Sequence, residues 1–125
     1  FKGIIEQWEK EGPFWVENKR TGKKLPLSVE VLTDWQENKE RLSPIKRIGE
    51  LNIPVMLIHG TEDESVPVSE SQKLQQAGNN VALHLVEEAT HTFGGYHPYW
   101  EGEMPPPLQQ VSTLTLQFLK QKVFT

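Results

Sequence analysis

An unbroken apolar run that ends in a glycine constrains the fold of this chain more than any other feature. Residues 53–60 read Ile-Pro-Val-Met-Leu-Ile-His-Gly, and an acidic loop over residues 61–67 follows them. A strand buried on both faces of a sheet has no solvent side, so it lacks the alternation of a half-exposed strand. The run is too short for a buried helix, and Pro54 near its start suits the entry to a strand. We therefore predict a buried strand over residues 53–58.

A helix and a second strand are predicted directly after this run. Ser69 and Gln72 have the spacing of a reciprocal N-terminal cap for a helix over residues 68–77, and Gly78 is placed to end that helix. Residues 81–86 then have the apolar character of another strand. A strand, a helix and a strand within about 34 residues make a βαβ unit, in which the strands are parallel and the crossover is right-handed.

Weaker patterns lie on both sides of this unit. In chain order they predict an amphipathic helix within residues 1–12, a β-hairpin that pairs 14–16 with 25–27 around the polar turn 18–22, a helix over 29–38 capped by Ser28, at most a short turn of helix at 45–48, a long loop over 87–107 and a closing helix over 108–123. Long loops in compact domains are usually functional or disordered, which draws attention to residues 87–107.

Length and charge exclude several classes of protein. The 125 residues suffice for a single domain or a fragment of a larger one, and the net charge of −4 gives no electrostatic reason to expect a nucleic acid or an anionic membrane as partner. The basic cluster of Lys19, Arg20, Lys23 and Lys24 straddles the predicted hairpin turn and is interpreted as a solvated tip. The absence of cysteine excludes a thiol nucleophile and suits the cytoplasm. Neither a membrane span nor a signal peptide is visible in the sequence.

Two residues with acid–base chemistry follow the two predicted parallel strands. Asp63 lies in the loop after the first strand and His91 in the loop after the second. The carboxyl ends of parallel strands meet at one edge of a sheet, which is where open α/β sheets bind ligands. A carboxylate that accepts from one imidazole nitrogen fixes the tautomer of the ring and leaves the other nitrogen to act as a general base. We therefore predict that Asp63 and His91 lie within hydrogen-bonding reach.

Three segments carry a pattern that is more specific than this spacing. They are Ser43-Pro44-Ile45, residues 53–71 with His-Gly, Asp63 and Val66-Pro67, and residues 88–93 with His-Thr-Phe. This pattern resembles the C-terminal part of the α/β-hydrolase superfamily, and most of all its prolyl oligopeptidase and dienelactone hydrolase branch. The resemblance covers about residues 43–125 and implies an α/β fold, the C-terminal half of the hydrolase fold, with parallel strands and covering helices. Residues 1–42 resemble the variable helix and hairpin segment that members place before the strand of the acid.

By this resemblance Asp63 would be the acid and His91 the base of a serine hydrolase that acts on a small ester or a peptide. The superfamily places its serine in a G-x-S-x-G turn, with the order serine, acid, histidine along the chain. No serine of this chain has a glycine two residues away on either side. The nucleophile is therefore expected upstream of Phe1, and the chain alone is expected to be inactive.

Other interpretations stay open at this stage. Asp63 can simply close a turn, and the whole chain can be a non-catalytic, hydrolase-like module that binds a partner through the hairpin and the aromatic loop. A G-x-S-x-G sequence upstream would favour the enzyme over the binding module. His59 is interpreted as a structural residue at the end of its strand, and His97 as a loop histidine without an assigned role. Aromatic residues that can wall a substrate pocket are Trp15, Phe93, Tyr96, Tyr99 and Trp100.

A metal or a cofactor is not expected. His91, His97 and the acidic residues show no compact ligand spacing such as H-x-x-x-H. The sequence leaves the oligomeric state, the substrate and the choice between ester and peptide open.

Overall fold

The computed structural model describes residues 2–18 and 21–122 of the chain. Two compact units are present, Phe1–Ser43 and Pro44–Thr125. The elements of the first unit are α1 (Lys2–Glu11), β1 (Phe14–Glu17), β2 (Lys24–Leu27) and α2 (Glu30–Asn38). Those of the second unit are α3 (Pro44–Glu50), β3 (Val55–Gly60), α4 (Val68–Ala77), β4 (Val81–Val86) and α5 (Pro106–Lys122).

The first unit contains the predicted helix and hairpin. β1 and β2 are antiparallel, and their register runs from Phe14 opposite Leu27 to Glu17 opposite Lys24. Gly22 has a φ of +66° in the turn, a left-handed conformation that glycine adopts without steric strain. The indole of Trp8 on α1 donates a hydrogen bond to the carbonyl of Leu27 at 3.0 Å, and its ring lies 6.0 Å from that of Phe14. This bond fixes α1 to the hairpin.

The predicted cap of the next helix is wrong. Val29 occupies the N-cap position of α2 with helical backbone angles and makes no capping bond from its side chain. Ser28 therefore lies one residue too early, and its hydroxyl accepts only a long hydrogen bond of 3.5 Å from the backbone N–H of Glu30. Lys19 and Arg20 of the predicted basic tip lie outside the described residues, as do Phe1 and Val123 at the ends of predicted helices.

The second unit is built on the predicted parallel pair of strands. β3 and β4 are hydrogen-bonded neighbours in one register, from Val55 opposite Val81 to Gly60 opposite Val86, which confirms the parallel pairing. β3 begins and ends two residues later than predicted. Pro54 has no N–H to donate to a ladder, and Ile53 before it is 62% exposed, so pairing begins only at Val55.

The helices pack on this pair of strands as the sequence predicts. α4 contacts both β3 and β4 as well as α3, and α5 contacts β4. Gly78 ends α4 and donates its N–H to the carbonyl of Leu74 at 3.1 Å. The predicted reciprocal cap at the other end of α4 is not formed, because Pro67 is the N-cap residue and Ser69 already lies within the first turn.

Two further element boundaries differ from the prediction. α3 extends from Pro44 to Glu50 and is longer than the single turn predicted. α5 begins at Pro106 instead of Leu108, because a proline in the first turn lacks only an N–H that has no helical partner there. The buried apolar residues of the second unit include Ile48, Val86 and Ala89, and Ser71 is a buried polar residue of the same unit.

Candidate functional site

Asp63 lies in a tight turn three residues beyond the end of β3. Its Oδ1 accepts hydrogen bonds from the backbone N–H groups of Ser65 and Val66, each at 2.9 Å. Its own N–H donates to the carbonyl of Gly60 at 3.3 Å. The side chain is 6% exposed. Asp63 thus closes a turn, which was one of the two roles left open by the sequence, and only one of its carboxylate oxygens is needed for this.

The second carboxylate oxygen of Asp63 faces His91, which confirms the predicted proximity of these two residues. Oδ2 lies 2.9 Å from Nδ1 of His91, across 28 residues of sequence. The imidazole of His91 is 55% exposed, in contrast to the enclosed carboxylate. One oxygen of the carboxylate therefore accepts hydrogen bonds from the backbone of the turn, while the other holds an accessible histidine.

Backbone contacts tie the loop of the acid to the loop of the histidine. Thr61 donates its N–H to the carbonyl of Val86 at 3.0 Å, and Glu62 donates to the carbonyl of Ala89 at 3.0 Å. The hydroxyl of Thr61 in turn accepts the N–H of Glu88 at 2.8 Å. Glu88 has a φ of 56°, a conformation uncommon for a residue with a side chain, and this bond helps to hold it. The two loops therefore form one connected structure.

Gly60 permits this close approach of the two loops. A Cβ atom at this position would lie 2.2 Å from the carbonyl oxygen of Ala89 and 2.8 Å from that of Thr90. Both contacts are with backbone atoms, so no side-chain rotation can relieve them. Glycine is required here by space, because the backbone of the histidine loop crosses directly over the end of β3.

The environment of Asp63 favours its ionised form. Burial alone raises the pKa of its carboxyl group, but the hydrogen bonds from Val66, His91 and Ser65 and the charge of His91 outweigh that effect. The pKa is lowered from its ordinary value of 3.8 to about 2. Asp63 is therefore a carboxylate at neutral pH and can only accept hydrogen bonds.

The ionisation of Asp63 determines the tautomer of His91. Because Oδ2 is an acceptor, Nδ1 of His91 must carry the proton of their hydrogen bond. Nε2 of the neutral ring then has a free lone pair and can accept a proton from a reactant, after which the carboxylate stabilises the imidazolium. A cleft of about 240 Å³ lies over these residues, lined by Ile58, His59, Asp63, Val66, His91 and Phe93.

His59 joins the same cluster, which the sequence interpretation missed. Its Nε2 lies 2.9 Å from the carbonyl oxygen of Val66 and 3.3 Å from Oδ2 of Asp63. The side chain is 11% exposed. The available signal was a polar residue at the end of an otherwise apolar strand, four positions before the acid.

The remaining candidates from the sequence are distributed differently. Phe93 lines the cleft over Asp63 and His91, which we call the dyad. The rings of Tyr96 and Tyr99 pack with their centroids 5.0 Å apart, and both residues line another cleft of about 400 Å³. Burial raises the pKa of both tyrosines, and the carboxylate of Glu101 raises it further. Trp100 is 82% exposed. Trp15 belongs to the first unit, where it lines a cleft with Trp8 and Phe14.

Within residues 2–18 and 21–122, no cluster of three or more histidine and acidic side chains is arranged to hold a metal ion. The helices in that part of the chain are too short or too polar to cross a membrane.

Comparison with known proteins places the chain in a family. The prolyl oligopeptidase family matches residues 12–104. The non-reducing polyketide synthase adrD of Penicillium roqueforti is 32% identical over 93 residues, which cover 68% of this chain and 4% of that protein. Mouse (Mus musculus) protein ABHD8 is 43% identical over 43 residues, which cover 34% of this chain and 10% of that protein. The chain thus spans a small part of the length of these relatives.

The family match includes β3, β4 and both loops that carry Asp63 and His91. The parallel strands with their packed helices are compatible with the α/β-hydrolase architecture of that family. On these grounds the chain belongs to the prolyl oligopeptidase family of α/β-hydrolases.

Proposed function

We propose that this chain supplies the acid and the histidine of a serine hydrolase of the peptidase or esterase type. The observation that carries the proposal is the 2.9 Å contact between Oδ2 of Asp63 and Nδ1 of His91. It leaves Nε2 of an accessible imidazole available to accept a proton, which is what a serine nucleophile needs from its base.

In this proposal the serine belongs to polypeptide that precedes Phe1, in agreement with the serine, acid, histidine order of the superfamily. Nε2 of His91 takes the proton of the serine hydroxyl as it attacks the carbonyl carbon of the substrate. The same nitrogen then returns that proton to the leaving amine or alcohol. Asp63 remains ionised throughout, because its pKa of about 2 lies far below neutral pH.

The cleft over the dyad supports a small ester or a peptide as substrate. Ile58, Val66 and Phe93 contribute apolar walls beside the polar groups of Asp63 and His91. A site of this kind binds an uncharged carbonyl compound through apolar contact and leaves the polar groups for the reaction.

The test uses the complete reading frame that encodes this chain, together with any residues that it encodes before Phe1. Hydrolysis of p-nitrophenyl esters and of aminoacyl p-nitroanilides is measured for the unaltered protein, Asp63→Asn and His91→Ala. We expect kcat to fall on the order of 10⁴-fold or more in both variants, as it does when these members of a serine protease triad are changed. The relative rates on the two substrates decide between esterase and peptidase.

His97→Ala is the matched control, because His97 is an exposed histidine of the same long loop. Its activity should equal that of the unaltered protein. Hydrolysis that survives in Asp63→Asn and His91→Ala would exclude the dyad as the catalytic pair. A complete reading frame without G-x-S-x-G and without turnover would instead support the non-catalytic binding module.

A further inference from the structure

His59 occupies a position that the proposed proton transfer does not use. It is the penultimate residue of β3, and its imidazole is nearly enclosed, with 11% of the side chain exposed. Its Nε2 reaches the carbonyl oxygen of Val66 at 2.9 Å and Oδ2 of Asp63 at 3.3 Å. Two imidazoles therefore converge on a single carboxylate oxygen.

The partners of His59 determine where its proton lies. A backbone carbonyl accepts hydrogen bonds, and the carboxylate of Asp63, with a pKa of about 2, also only accepts. Nε2 of His59 must therefore carry a hydrogen, which it donates to the carbonyl of Val66, while Oδ2 of Asp63 lies 3.3 Å from the same nitrogen. His59 is a donor in this cluster, whereas His91 offers its Nε2 as an acceptor.

These contacts close a small ring of interactions around the acid. The N–H of Val66 donates to Oδ1 of Asp63, and the carbonyl of Val66 accepts from His59. Val66 is thus held on both sides of its backbone, and the loop that it ends is tied back to β3. With Oδ1 held by the loop backbone, the rotation of the carboxylate is restricted and Oδ2 is directed toward His91.

We propose that His59 is a positioning residue that orients Asp63 toward His91 by anchoring Val66 and contacting the carboxylate. Its contribution to hydrolysis rests on the proposed function, whereas its effect on the geometry of the pair does not. The essential property of the side chain is an N–H donor at the distance of Nε2. Glutamine can present its amide N–H at about that distance, and phenylalanine fills a similar volume with no donor.

The first experiment compares His59→Gln and His59→Phe in the 125-residue chain by NMR. The carboxyl carbon of Asp63 is titrated, and the ¹⁵N shifts of the His91 ring are recorded. In His59→Phe we expect the pKa of Asp63 to rise, because Val66 loses its anchor and the hydrogen bond from its N–H to Oδ1, which lowers that pKa, is weakened. The Nδ1–H signature of His91 should weaken at the same time. In His59→Gln both readouts should stay near those of the unaltered chain.

A purely structural role of His59 predicts a different outcome. Both variants would then lose stability toward urea, while the titration of Asp63 and the tautomer of His91 stay unchanged in the folded state, and this result would overturn the proposal.

A measurement on the unaltered chain covers the case in which His59→Phe does not fold. Nε2 of His59 must carry the proton and show coupling across its hydrogen bond to the carbonyl carbon of Val66. A ring protonated only on Nδ1 would contradict the assignment.

The activity of the complete reading frame separates this inference from the proposed function. We expect kcat to fall on the order of 10²-fold in His59→Phe with KM unchanged, as misplacement of a catalytic group by about 1 Å can cause. His59→Gln should restore most of that loss. If Asp63→Asn and His91→Ala abolish hydrolysis but His59→Phe changes neither kcat nor the NMR readouts, this inference alone fails. If the dyad variants leave hydrolysis unchanged, the proposed function fails and the NMR comparison still decides the role of His59.

Discussion

Asp63 closes a turn and also contacts an imidazole, because its two oxygens have different partners. Oδ1 accepts from the backbone of Ser65 and Val66, and Oδ2 faces the ring nitrogens of His91 and His59. The turn and the dyad are consequently one arrangement rather than alternatives. A substitution at this position affects the stability of the loop and the state of His91 together.

This shared role predicts a pH dependence of stability. The folded pKa of Asp63, about 2, lies below the ordinary value of 3.8. A carboxyl group whose pKa is depressed by folding contributes stability that is fully present above its unfolded pKa and is lost as the pH falls through the folded one. We expect a difference in unfolding free energy between the unaltered chain and Asp63→Asn at about pH 5. It should shrink between about pH 4 and pH 2.

Urea denaturation at a series of pH values measures this difference. Glu64→Gln removes a neighbouring, exposed carboxylate of the same loop and controls for the change in net charge. A difference between the unaltered chain and Asp63→Asn that stays the same down to pH 2 would contradict the lowered pKa.

Topology alone was sufficient to predict that Asp63 and His91 approach each other. Each follows one of two neighbouring parallel strands, so their loops leave the sheet at the same edge. The role of His59 did not follow from such reasoning. Its contacts depend on the rotamer of one side chain and on the path of the loop back to Val66, neither of which the periodicity of a strand specifies.

At the scale of the elements, the meeting of the two strand ends positions the site. Gly60 and Val86 are the last paired residues, and the loops begin there side by side. The N–H groups of Thr61 and Glu62 then continue the contact beyond the ladder. The dyad is therefore supported by ordered backbone on both sides rather than by two independent loops.

Gly60→Ala should disrupt this support. The added methyl group would lie 2.2 Å from a backbone oxygen of Ala89, so the two loops must move apart. We expect a loss of about 1–3 kcal/mol or more in unfolding free energy, the usual range for overpacking in a well-packed region. The hydrogen bond between Asp63 and His91 should weaken as well. Urea unfolding and the NMR signals of the His91 ring report the two effects.

Gly102→Ala is the matched control for that substitution. A Cβ at Gly102 would meet no atom within 4 Å, and the backbone of Gly102 lies outside the left-handed region. Its stability should stay within about 0.5 kcal/mol of the unaltered chain. Equal effects of the two substitutions would show that the contact between the loops does not depend on Gly60.

The elements themselves were largely predictable from the sequence, and their ends were not. The apolar run indicated a parallel strand correctly. The ladder begins only at Val55, because Pro54 has no N–H to donate. The spacing of Ser69 and Gln72 suited a capping box, yet the last non-helical residue before the helix is Pro67, two residues before Ser69. Boundaries of this kind depend on single backbone angles, whereas the type of an element depends on a pattern over many residues.

At the scale of the whole molecule, the chain carries two of the three groups of the proposed triad. Its six serines include Ser71 and Ser112, whose hydroxyls donate to helix carbonyls at 2.8 and 3.0 Å. His91 is hydrogen-bonded through its Nδ1 to Oδ2 of Asp63. Under the proposal these two residues are the acid and the base, and the nucleophile belongs to other polypeptide.

The 125-residue chain alone should therefore not hydrolyse activated esters above background. In a well-studied protease, loss of the nucleophile removes catalysis on the order of 10⁶-fold. Release of p-nitrophenol from p-nitrophenyl acetate is the measurement, with His91→Ala and Asp63→Ala as controls for the slow reaction of any exposed imidazole. Reproducible turnover that these variants abolish would show that a serine within the chain acts as the nucleophile.

The pairing of β3 with β4 has a further consequence for how the chain folds. Asp63 and His91 are 28 residues apart, and the alignment of the two strands brings them together. A slip of one residue would displace one loop along the sheet by about 3.3 Å and reverse which face each side chain of that strand occupies. The hydrogen bond between the two residues therefore forms only in the native alignment. Its appearance during refolding therefore reports that the parallel, non-local pairing of β3 and β4 has formed in its native register.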